Sequence, residues 1–369
     1  MRVLYLLDHD FAMRERKLIE RLEVGLAAEG VKTIRMEPES VAATQSEVSV
    51  AGRIVRYPPF GPLATRRQRG RMLESLAREA LKDESGAAID VVHVFAPSMW
   101  SLGAELARAL AASWAIEVWS DAAMSRAARI RTGRGLSAPV LMAADPALVD
   151  RARASGRDAA IRQTTWGVHA LQSPQQIMRE DATFSVVMSS SGMEPGVLHQ
   201  AMAGIAAMVK IEERILVFVE SGAAGKARLW REAETLGLLS RMSLIPDLEV
   251  HRDLVMACDV LLLPDMSGQV RTLALEALAH GMGLVATRDD RVSLFRGDLP
   301  IGRFVSHGDR AGWIAALEGV VRDRDRTREL ARQGWSLMRE QRRVSTHVTS
   351  VFDAYQWMRS KDAMPFAAR

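Results

Sequence analysis

Cysteine is nearly absent from this chain of 369 residues. Cys258 is the single one, so no disulfide forms within the chain and no cysteine pair is present to hold zinc. Long apolar runs are also lacking, since no stretch approaches the roughly 20 apolar residues that span a bilayer. The opening MRVLYLLDHD is too short an apolar run for a signal peptide. The sequence therefore predicts a cytoplasmic protein.

An excess of charge of one sign is missing as well. The 49 lysines and arginines and the 45 acids leave a net charge of only +4, with a pI near 9.5. This balance permits an anionic partner without requiring one, and we predict no nucleic-acid partner. A basic run, TRRQRGR (65–71), opens an amphipathic stretch that continues to residue 82. Two explanations stay open for it, a solvated helix face or a peripheral contact with anionic lipid.

The signatures of several enzyme classes are not found. SGAAGKA (221–227) lacks the glycine spacing and the final serine or threonine of a phosphate-binding P-loop. SSSGM (189–193) lacks the first glycine of the turn that carries a hydrolase nucleophile. None of the eight histidines forms an HxxxH pair for a metal. We therefore expect no nucleoside triphosphatase, no resident metal and no cofactor.

The pattern that is present is an alternation of short apolar runs and amphipathic stretches. Strands that alternate with helices in this way indicate parallel sheets with right-handed crossovers. The first series of apolar runs is VLYLL (3–7), DVVHVFAP (90–97), AIEVW (115–119) and APVLMAAD (138–145). The second begins near residue 184 and comprises FSVVMSSSG, RILVFVES, MSLIP, DVLLLPD and LVAT. We predict an α/β fold with two Rossmann-like domains.

The domain boundaries follow from a stretch without periodicity, WGVHALQSPQQIMREDA (166–182), which separates the two series. We predict an N-terminal domain over 1–170, a C-terminal domain over 171–341, and a final helix and tail over 342–369. Open parallel sheets bind ligands beyond the carboxyl ends of their strands. With two such domains facing each other, we expect the ligand in the cleft between them.

Local features are predicted within the first domain. Gly30 is expected to end a helix over about 12–29, and Asp145 to cap the helix after the APVLMAAD strand. The segment around 46–56 is typical of a small hairpin inserted in the first unit. A serine- and alanine-rich turn is expected after AIEVW.

A carboxylate interrupts the stretch VRTLALEALAHGMGLVAT (270–287), which predicts a helix docked on a buried strand. A helix that faces a core prefers an apolar side chain at the position of Glu276. Either Glu276 lies on a solvated edge of this helix, or it is placed there to bind a ligand.

The order of motifs resembles a known family. DVVHVFAP, the turn TTWGVH (164–169), the segment ESGAAGKARLWREAETLGLLSRMSLIPDLE, DVLLLPD, LEALAHGMGLVAT and GRFVSHGDRAGWIAAL follow one another as in glycosyltransferases of GT-B fold, and specifically family 4. The final stretch RRVSTHVTSVFDAYQWM (342–358) resembles the helix that crosses back to the first domain. The resemblance covers roughly residues 90–365. It implies a retaining transferase that moves a sugar from a nucleotide diphosphate sugar to an unknown glycan or lipid acceptor, in polysaccharide or glycoconjugate synthesis.

The resemblance also implies a donor site. Glu276 would hold the ribose hydroxyls, because charge-assisted hydrogen bonds offset the desolvation of a carboxylate. The loop before its helix would offer backbone N–H groups and a helix dipole to the diphosphate. The predicted donor-binding residues are Gly192, Ile245, Pro246, Gly268, Gln269, Val270, Arg271, Thr272 and Glu276. Such enzymes need no metal, because dipoles and basic side chains stabilise the departing phosphate.

On the acceptor side, the resemblance implies that His93, Ser120 and Asp121 lie near the reacting centre as catalytic residues. For His93, the sequence leaves open a second explanation, a buried imidazole whose nitrogens are bonded within the core.

Several positions depart from the family pattern. Gly268 stands where the family has a second glutamate, and the loop SSSGMEPG (189–196) has no basic residue for the diphosphate. Ser120-Asp121 replaces a His-Asp pair, and LDHDFAMRER (7–16) lacks paired glycines. Two alternatives therefore accompany the transferase: an inactive GT-B protein that acts as a binding or scaffold subunit, and a sugar epimerase of the same architecture.

Overall fold

The computed structural model divides into two compact units. One comprises Met1–Trp166 together with the segment from Val344 onward, and the other comprises Gly167–Arg343. The sequence placed its boundaries after residues 170 and 341. The structure describes residues 1–42, 51–58, 66–82, 87–130, 138–156 and 160–360.

Unit 1 is built on a parallel sheet of seven strands in the order β3-β2-β1-β4-β5-β6-β7. The strands are β1 Arg2–Leu6, β2 Lys32–Pro38, β3 Gly52–Tyr57, β4 Val91–Val94, β5 Ser113–Val118, β6 Val140–Ala143 and β7 Ile161–Gln163. The helices are α1 His9–Arg14, α2 Arg16–Ala28, α3 Glu39–Ala42, α4 Arg66–Leu81, α5 Trp100–Ala109, α6 Asp121–Ala127, α7 Pro146–Ala154 and, from the end of the chain, α15 Val344–Arg359.

Unit 2 repeats the architecture with a parallel sheet of six strands in the order β10-β9-β8-β11-β12-β13. The strands are β8 Phe184–Met188, β9 Ile215–Glu220, β10 Met242–Ile245, β11 Val260–Leu263, β12 Gly283–Thr287 and β13 Arg303–Val305. The helices are α8 Pro195–Val209, α9 Ser221–Ala227, α10 Leu229–Thr235, α11 Arg252–Met256, α12 Thr272–His280, α13 Arg310–Arg322 and α14 Arg324–Gln341. The predicted α/β fold with two Rossmann-like domains is confirmed.

The central strands are buried on both faces. Every residue of β1, β4 and β12 is buried, as expected for parallel strands whose two faces are covered by helices. This is why their sequences are continuous apolar runs instead of alternating ones, and why the sequence identifies them readily.

Two local predictions in unit 1 are wrong. The hairpin around 46–56 is in part a parallel edge strand, because β3 pairs in parallel with β2; residues 43–50 lie outside the described part of the chain. The serine- and alanine-rich segment after β5 is not a turn but α6, and the side chain of Ser120 accepts the N–H of Ala123 at its start. Strand β2 had no predicted counterpart.

The expected cap and the expected helix end are present. Asp145 accepts the N–H of Ala147 at the start of α7, and Gly30, with φ of +74°, follows the last residues of α2. A left-handed residue after a helix favours glycine because it has no Cβ to clash.

Helix α15 packs within unit 1, as predicted for the final helix. The hydroxyl of Tyr355 is fully buried and lies 2.7 Å from Nδ1 of His93 on β4. A Cβ on Gly25 of α2 would lie 2.4 Å from a methyl of Val348, so α2 and α15 approach closely where the side chain is missing. The guanidinium of Arg162 lies 3.8 Å from the ring centroid of Trp357.

A buried ionic group lies between α2 and β2. Glu23 is fully buried, and its Oε1 is 3.5 Å from Nε of Arg35, which in turn is 3.6 Å from Oε2 of Glu37. Burial raises the pKa of Glu23 from 4.5 to about 7, although the charge of Arg35 acts in the opposite direction. At these distances, the ion pair offsets only part of the desolvation of the carboxylate.

The raised pKa predicts a pH-dependent contribution to stability. Below pH 4.5 the folded and unfolded states both hold the Glu23 proton, and as the pH rises to 7 only the folded state keeps it. The free energy of unfolding should therefore fall over this window, by about 3 kcal/mol for the shift in the pKa of Glu23 to about 7. Glu23→Gln should lack this step. Denaturant unfolding of both proteins from pH 4 to pH 8 measures the difference, and parallel curves would contradict the assignment.

Candidate functional site

The carboxyl ends of the unit 2 strands gather polar loops from distant parts of the sequence. The strands are parallel, so the segments after β8, β9, β10, β11 and β12 all leave from the same edge of the sheet. Three groups of contacts are found there: one around Asp265, one around Asp289 and one around Arg252.

Asp265, after β11, holds the loop after β8. Its carboxylate accepts the hydroxyl of Ser190 at 2.7 Å and the backbone N–H of Ser191 at 2.6 Å. The hydroxyl of Ser190 accepts the N–H of Gly192 at 3.0 Å. Gly192 has φ of +71°, and a Cβ there would lie 2.8 Å from the backbone of Ala223. Only glycine fits this predicted site residue, since α9 packs directly on the loop.

A cation reaches the same loop from another element. The amine of Lys226, on α9, donates to the carbonyl of Ser191 at 3.2 Å, and the side chain is exposed. The loop itself has no basic residue, so α9 provides the charge that the loop lacks. The segment 221–227 is helical, in agreement with the expectation that it is not a P-loop.

Asp289, after β12, fixes the loop that precedes α12. Gly268 has φ of +63° and donates its N–H to Oδ2 of Asp289 at 2.6 Å. Arg291 pairs with the same carboxylate at 2.8 Å and also donates to the carbonyl of Met266. The bonds from Arg291 and from the Gly268 amide hold the pKa of Asp289 below its usual range, although its burial acts in the opposite direction.

Glu276 lies one turn inside α12 and is only 9% exposed. The solvated-edge explanation of this residue is therefore wrong. Its carboxylate pairs with Nη1 of Arg252 on α11. The same guanidinium donates to Glu249 at 2.6 Å through Nε and to the hydroxyl of Thr272 at 3.0 Å through Nη2. Arg271 donates to the other oxygen of Glu249 at 2.7 Å.

The remaining predicted donor residues lie along the same edge. Ile245 is buried at the end of β10, and the carbonyl of Pro246 accepts the hydroxyl of Ser221 at 3.4 Å. Val270 is buried, and Gln269 beside it is half-buried. These positions fit a predicted contact surface for a base and a diphosphate, and the assignment stays a prediction.

In unit 1, His93 lies in the core. It is fully buried in β4 and stacks on Phe95 with ring centroids 4.0 Å apart. Its Nδ1 is 2.7 Å from the hydroxyl of Tyr355, and its Nε2 is 2.9 Å from Oε2 of Glu117. Oε1 of that glutamate accepts the indole N–H of Trp166 at 2.6 Å. This geometry favours the second explanation of His93, a buried imidazole that ties β4 to β5 and α15.

Ser120 and Asp121 lie at the start of α6. The hydroxyl of Ser120 accepts the N–H of Ala123 at 3.0 Å, and the residue is buried. The carboxylate of Asp121 pairs with Arg151 of α7, and its side chain is 28% exposed. Of the three predicted residues of unit 1, Asp121 is thus the one with a substantial exposed surface.

Several residues of the unit 2 edge were not predicted from the sequence. They are Lys226, Glu249, Arg252, Asp265, Asp289 and Arg291. The sequence did contain a signal for some of them, because Asp265 and Asp289 follow strand runs within two residues of their ends and so had to lie at the carboxyl edge. Arg252 and Glu249 gave no such signal, since polar residues after β10 are equally typical of a surface turn.

The arrangement offers groups that suit a polar anionic ligand. Within the described residues, no group of three or more His, Cys, Asp or Glu side chains is arranged to hold a metal ion. The amino termini of α8 and α12 offer N–H groups that favour a phosphate, and Glu276 offers a carboxylate to hydroxyl donors.

The whole structure is similar to solved structures of low sequence identity. Sucrose-phosphate synthase from Thermosynechococcus elongatus is similar with a TM-score of 0.70 at 16% identity, over 97% of this chain and 99% of that one. HepE from Anabaena in complex with UDP-glucose gives 0.69 at 14%, over 97% and 100%. A putative UDP-N-acetylglucosamine 2-epimerase from Listeria monocytogenes gives 0.63 at 10%, over 96% and 95%.

These likenesses establish the GT-B fold that the sequence resemblance implied. A scan against protein-family models gave no match, and a search for curated relatives gave none either.

The left-handed backbone at Gly268 predicts the effect of restoring a glutamate there. Because φ is +63° and the position is buried, Gly268→Glu should lower the free energy of unfolding by about 1–2 kcal/mol. Gly268→Asn is the matched control, since asparagine tolerates this conformation better and should cost less. Denaturant unfolding compares the two variants with the wild type. Equal stability of all three would mean that the conformation of this loop is not held as described.

Proposed function

We propose that the protein is a retaining glycosyltransferase that binds a nucleotide diphosphate sugar at the carboxyl edge of the unit 2 sheet. The observation that carries the proposal is the burial of Glu276 one turn inside α12, beside the loop fixed by Asp289. Burial of an ionised carboxylate is costly unless it is paired and hydrogen-bonded, so its place within the apolar helix α12 indicates a specific role. The GT-B fold, shared with HepE bound to UDP-glucose, supports the same class of donor.

In this proposal the donor spans three groups of residues. Glu276 accepts hydrogen bonds from the ribose hydroxyls, and the segment Ile245-Pro246 contacts the base. The diphosphate lies between the amino terminus of α12 and the loop after β8, where Gly192 allows close approach. Lys226 is the cation for the phosphates, because it already reaches Ser191 of that loop. No cofactor is proposed besides the donor itself.

The proposed acceptor is the hydroxyl of a glycan or glycolipid. Asp121 is the residue of unit 1 that we expect to contact it, since its side chain is accessible. In this proposal, His93 and Ser120 have structural roles. His93 is held by Glu117 and Tyr355, and the hydroxyl of Ser120 accepts the N–H of Ala123 at the start of α6.

The second candidate is an inactive GT-B protein that serves as a binding or scaffold subunit. The observation that favours it is that the chain's own groups already occupy donor-site positions: Arg252 pairs with Glu276, and Asp289 accepts the amide of Gly268. An epimerase is less well supported by the residues, because that chemistry requires acidic side chains and a histidine that converge on one point. The imidazole of His280 contacts the backbone carbonyl of Glu276 and not its carboxylate.

A nucleotide-binding experiment separates these candidates. Isothermal titration with UDP-, GDP-, ADP- and dTDP-sugars should find a ligand for the wild type, and Glu276→Gln should weaken it by ~1.5–3 kcal/mol, about 10- to 100-fold. The glutamine variant is chosen because Glu276→Ala would leave Arg252 buried without this partner, which is itself destabilising. Lys226→Gln should lower the affinity for a nucleoside diphosphate and leave the affinity for the nucleoside unchanged. Donor hydrolysis is followed in parallel.

The outcomes of this experiment are distinct. Binding together with hydrolysis supports the transferase, whereas binding without turnover supports the scaffold. If the wild type shows no detectable binding at millimolar donor, and Glu276→Gln changes neither binding nor hydrolysis, both a transferase and a nucleotide-binding scaffold are excluded.

We further propose that α4 lies against an anionic membrane, which would bring a lipid-linked acceptor to the enzyme. None of the helices in the described ranges is long and apolar enough to cross a bilayer. The basic run opens α4, on which Leu76 and Ala80 are buried while Arg71 and Arg78 are exposed. Glu74 is also exposed between these arginines, so the proposed contact rests on the basic run at the start of the helix, and we infer a cytoplasmic protein with a peripheral contact.

Vesicle co-sedimentation tests the membrane contact. Binding to anionic vesicles at low salt should exceed binding to neutral ones, since each basic residue contributes on the order of 1 kcal/mol near such a surface. Replacement of the arginines at 66, 67, 69 and 71 by glutamine should abolish the difference. As a control, the variant with these four substitutions should have the same nucleotide affinity as the wild type. Equal recovery with both kinds of vesicle would mean that α4 is only a solvated helix.

A further inference from the structure

The guanidinium of Arg252 contacts two residues of α12 that belong to the proposed donor site, Glu276 and Thr272. Arg252 pairs with the carboxylate of Glu276, one turn inside the helix, and donates to the hydroxyl of Thr272, its first residue. Its third partner is Glu249, which it contacts through both Nε and Nη2. The shape of the guanidinium makes this possible, because its planar fork offers donors in several fixed directions.

The cluster is largely removed from solvent. The side chains of Arg252, Glu249 and Glu276 are 7%, 8% and 12% exposed. Charges at this depth are tolerated only when they are paired and hydrogen-bonded. Arg271 pairs with the second oxygen of Glu249 at 2.7 Å, so Glu249 is held from two sides and in turn fixes the plane of Arg252.

This chain of contacts restricts where the Glu276 carboxylate can lie. An ionised carboxylate accepts about four hydrogen bonds, so the bond from Arg252 sets its orientation and is compatible with further hydroxyl donors. A flexible glutamate would have to be ordered by the ligand, which lowers affinity, whereas a held one is ordered in advance.

We propose that Arg252 is a positioning residue that aims Glu276 at the ribose diol of a nucleoside diphosphate, and so sets a preference for ribonucleotides over 2′-deoxyribonucleotides. The inference rests on the proposed donor site. It concerns Arg252 itself, which touches no ligand and acts through the carboxylate that it holds.

The preference for the 2′-hydroxyl is the measurement that isolates this role. Affinities for UDP and dUDP, GDP and dGDP, and ADP and dADP are compared by titration, and the pair with the tightest ribonucleotide decides. The wild type should favour the ribonucleotide about 10-fold or more, the factor expected for one hydrogen bond to a charged group. Arg252→Met should reduce this ratio to near one while phosphate and base contacts keep the variant able to bind.

Two further variants keep the test decisive. Arg328→Met is the matched control: this arginine of unit 2 also has an ion pair, with Asp325, and a bond to the carbonyl of Met178, but it lies on α14 and contacts neither glutamate. Its ratio should equal that of the wild type. Arg252→Lys retains the positive charge if the methionine variant does not fold. One ammonium cannot reproduce the fork, so its ratio should still fall several-fold. Denaturant unfolding is measured for each variant.

The possible results distinguish the positioning role of Arg252 from the ribose contact of Glu276 and from nucleotide binding itself. A folded Arg252→Met or Arg252→Lys protein with the wild-type ratio would overturn the positioning role and leave the donor site intact. A wild type that binds ribo- and deoxynucleotides equally would overturn the ribose contact of Glu276, and this inference with it, while nucleotide binding stands. A wild type that binds none of the six nucleotides overturns this inference, and the titration with dTDP-sugars then decides the proposed function separately.

Discussion

The parallel pairing of the strands is the constraint on which the candidate site depends. Each crossover returns the chain to the same end of the sheet, so every loop after a strand leaves from one edge. In unit 2 this brings Asp265, Asp289 and Glu276 to the same edge, although they follow or lie between different strands. Their carboxylates therefore lie close to backbone amides and guanidiniums that are far from them in the sequence. The chemistry of the edge follows from topology before any single residue is considered.

Charge balance is the second constraint. The edge carries four carboxylates and four cations among the residues described above: Asp265, Asp289, Glu249 and Glu276 against Lys226, Arg252, Arg271 and Arg291. Three of these carboxylates, Glu249, Glu276 and Asp289, are paired with arginines, so net attraction of a diphosphate to these pairs contributes little. Under the proposed function, its binding therefore comes from directed contacts, namely helix amides, Lys226 and the carboxylate of Glu276. This is a different solution from a loop that carries its own arginine and lysine.

Much of the fold could be predicted from the sequence, because buried parallel strands are continuous apolar runs. The exceptions have a physical cause. Strand β2 carries Arg35 and Glu37, both buried. Arg35 pairs with Glu37 and with Glu23 of α2, and these charged residues interrupt the apolar run that identifies other strands. Strand β3 lies at the edge of the sheet and has half-buried side chains, so its alternation of polar and apolar residues is also typical of a hairpin. Its parallel orientation depends on pairing with β2, which the local sequence does not show.

The site could be predicted only in part, for the same kind of reason. Glu276 stands out within an apolar helix, so the local pattern identifies it. Its partner Arg252 lies on another helix, and only packing brings the two together. His93 has the opposite problem: a strand buried on both faces gives no alternation, so nothing in DVVHVFAP tells whether its imidazole faces a ligand or the core.

The internal partners of the donor-site groups bear on whether such a site can still work. A buried amide or carboxylate needs a partner when no ligand is present, and Asp289 and Arg252 fulfil that need for Gly268 and Glu276. A carboxylate on the amide of Gly268 makes the same kind of bond that a phosphate oxygen would make there. A donor at this amide would therefore exchange one acceptor for another, and the gain from that bond would be small. Glu276 differs, because a carboxylate has capacity for hydroxyl donors beside its guanidinium. Under the proposed function, the two positions would therefore contribute unequally, and discrimination between donors would rest on the ribose end more than on the loop around Gly268.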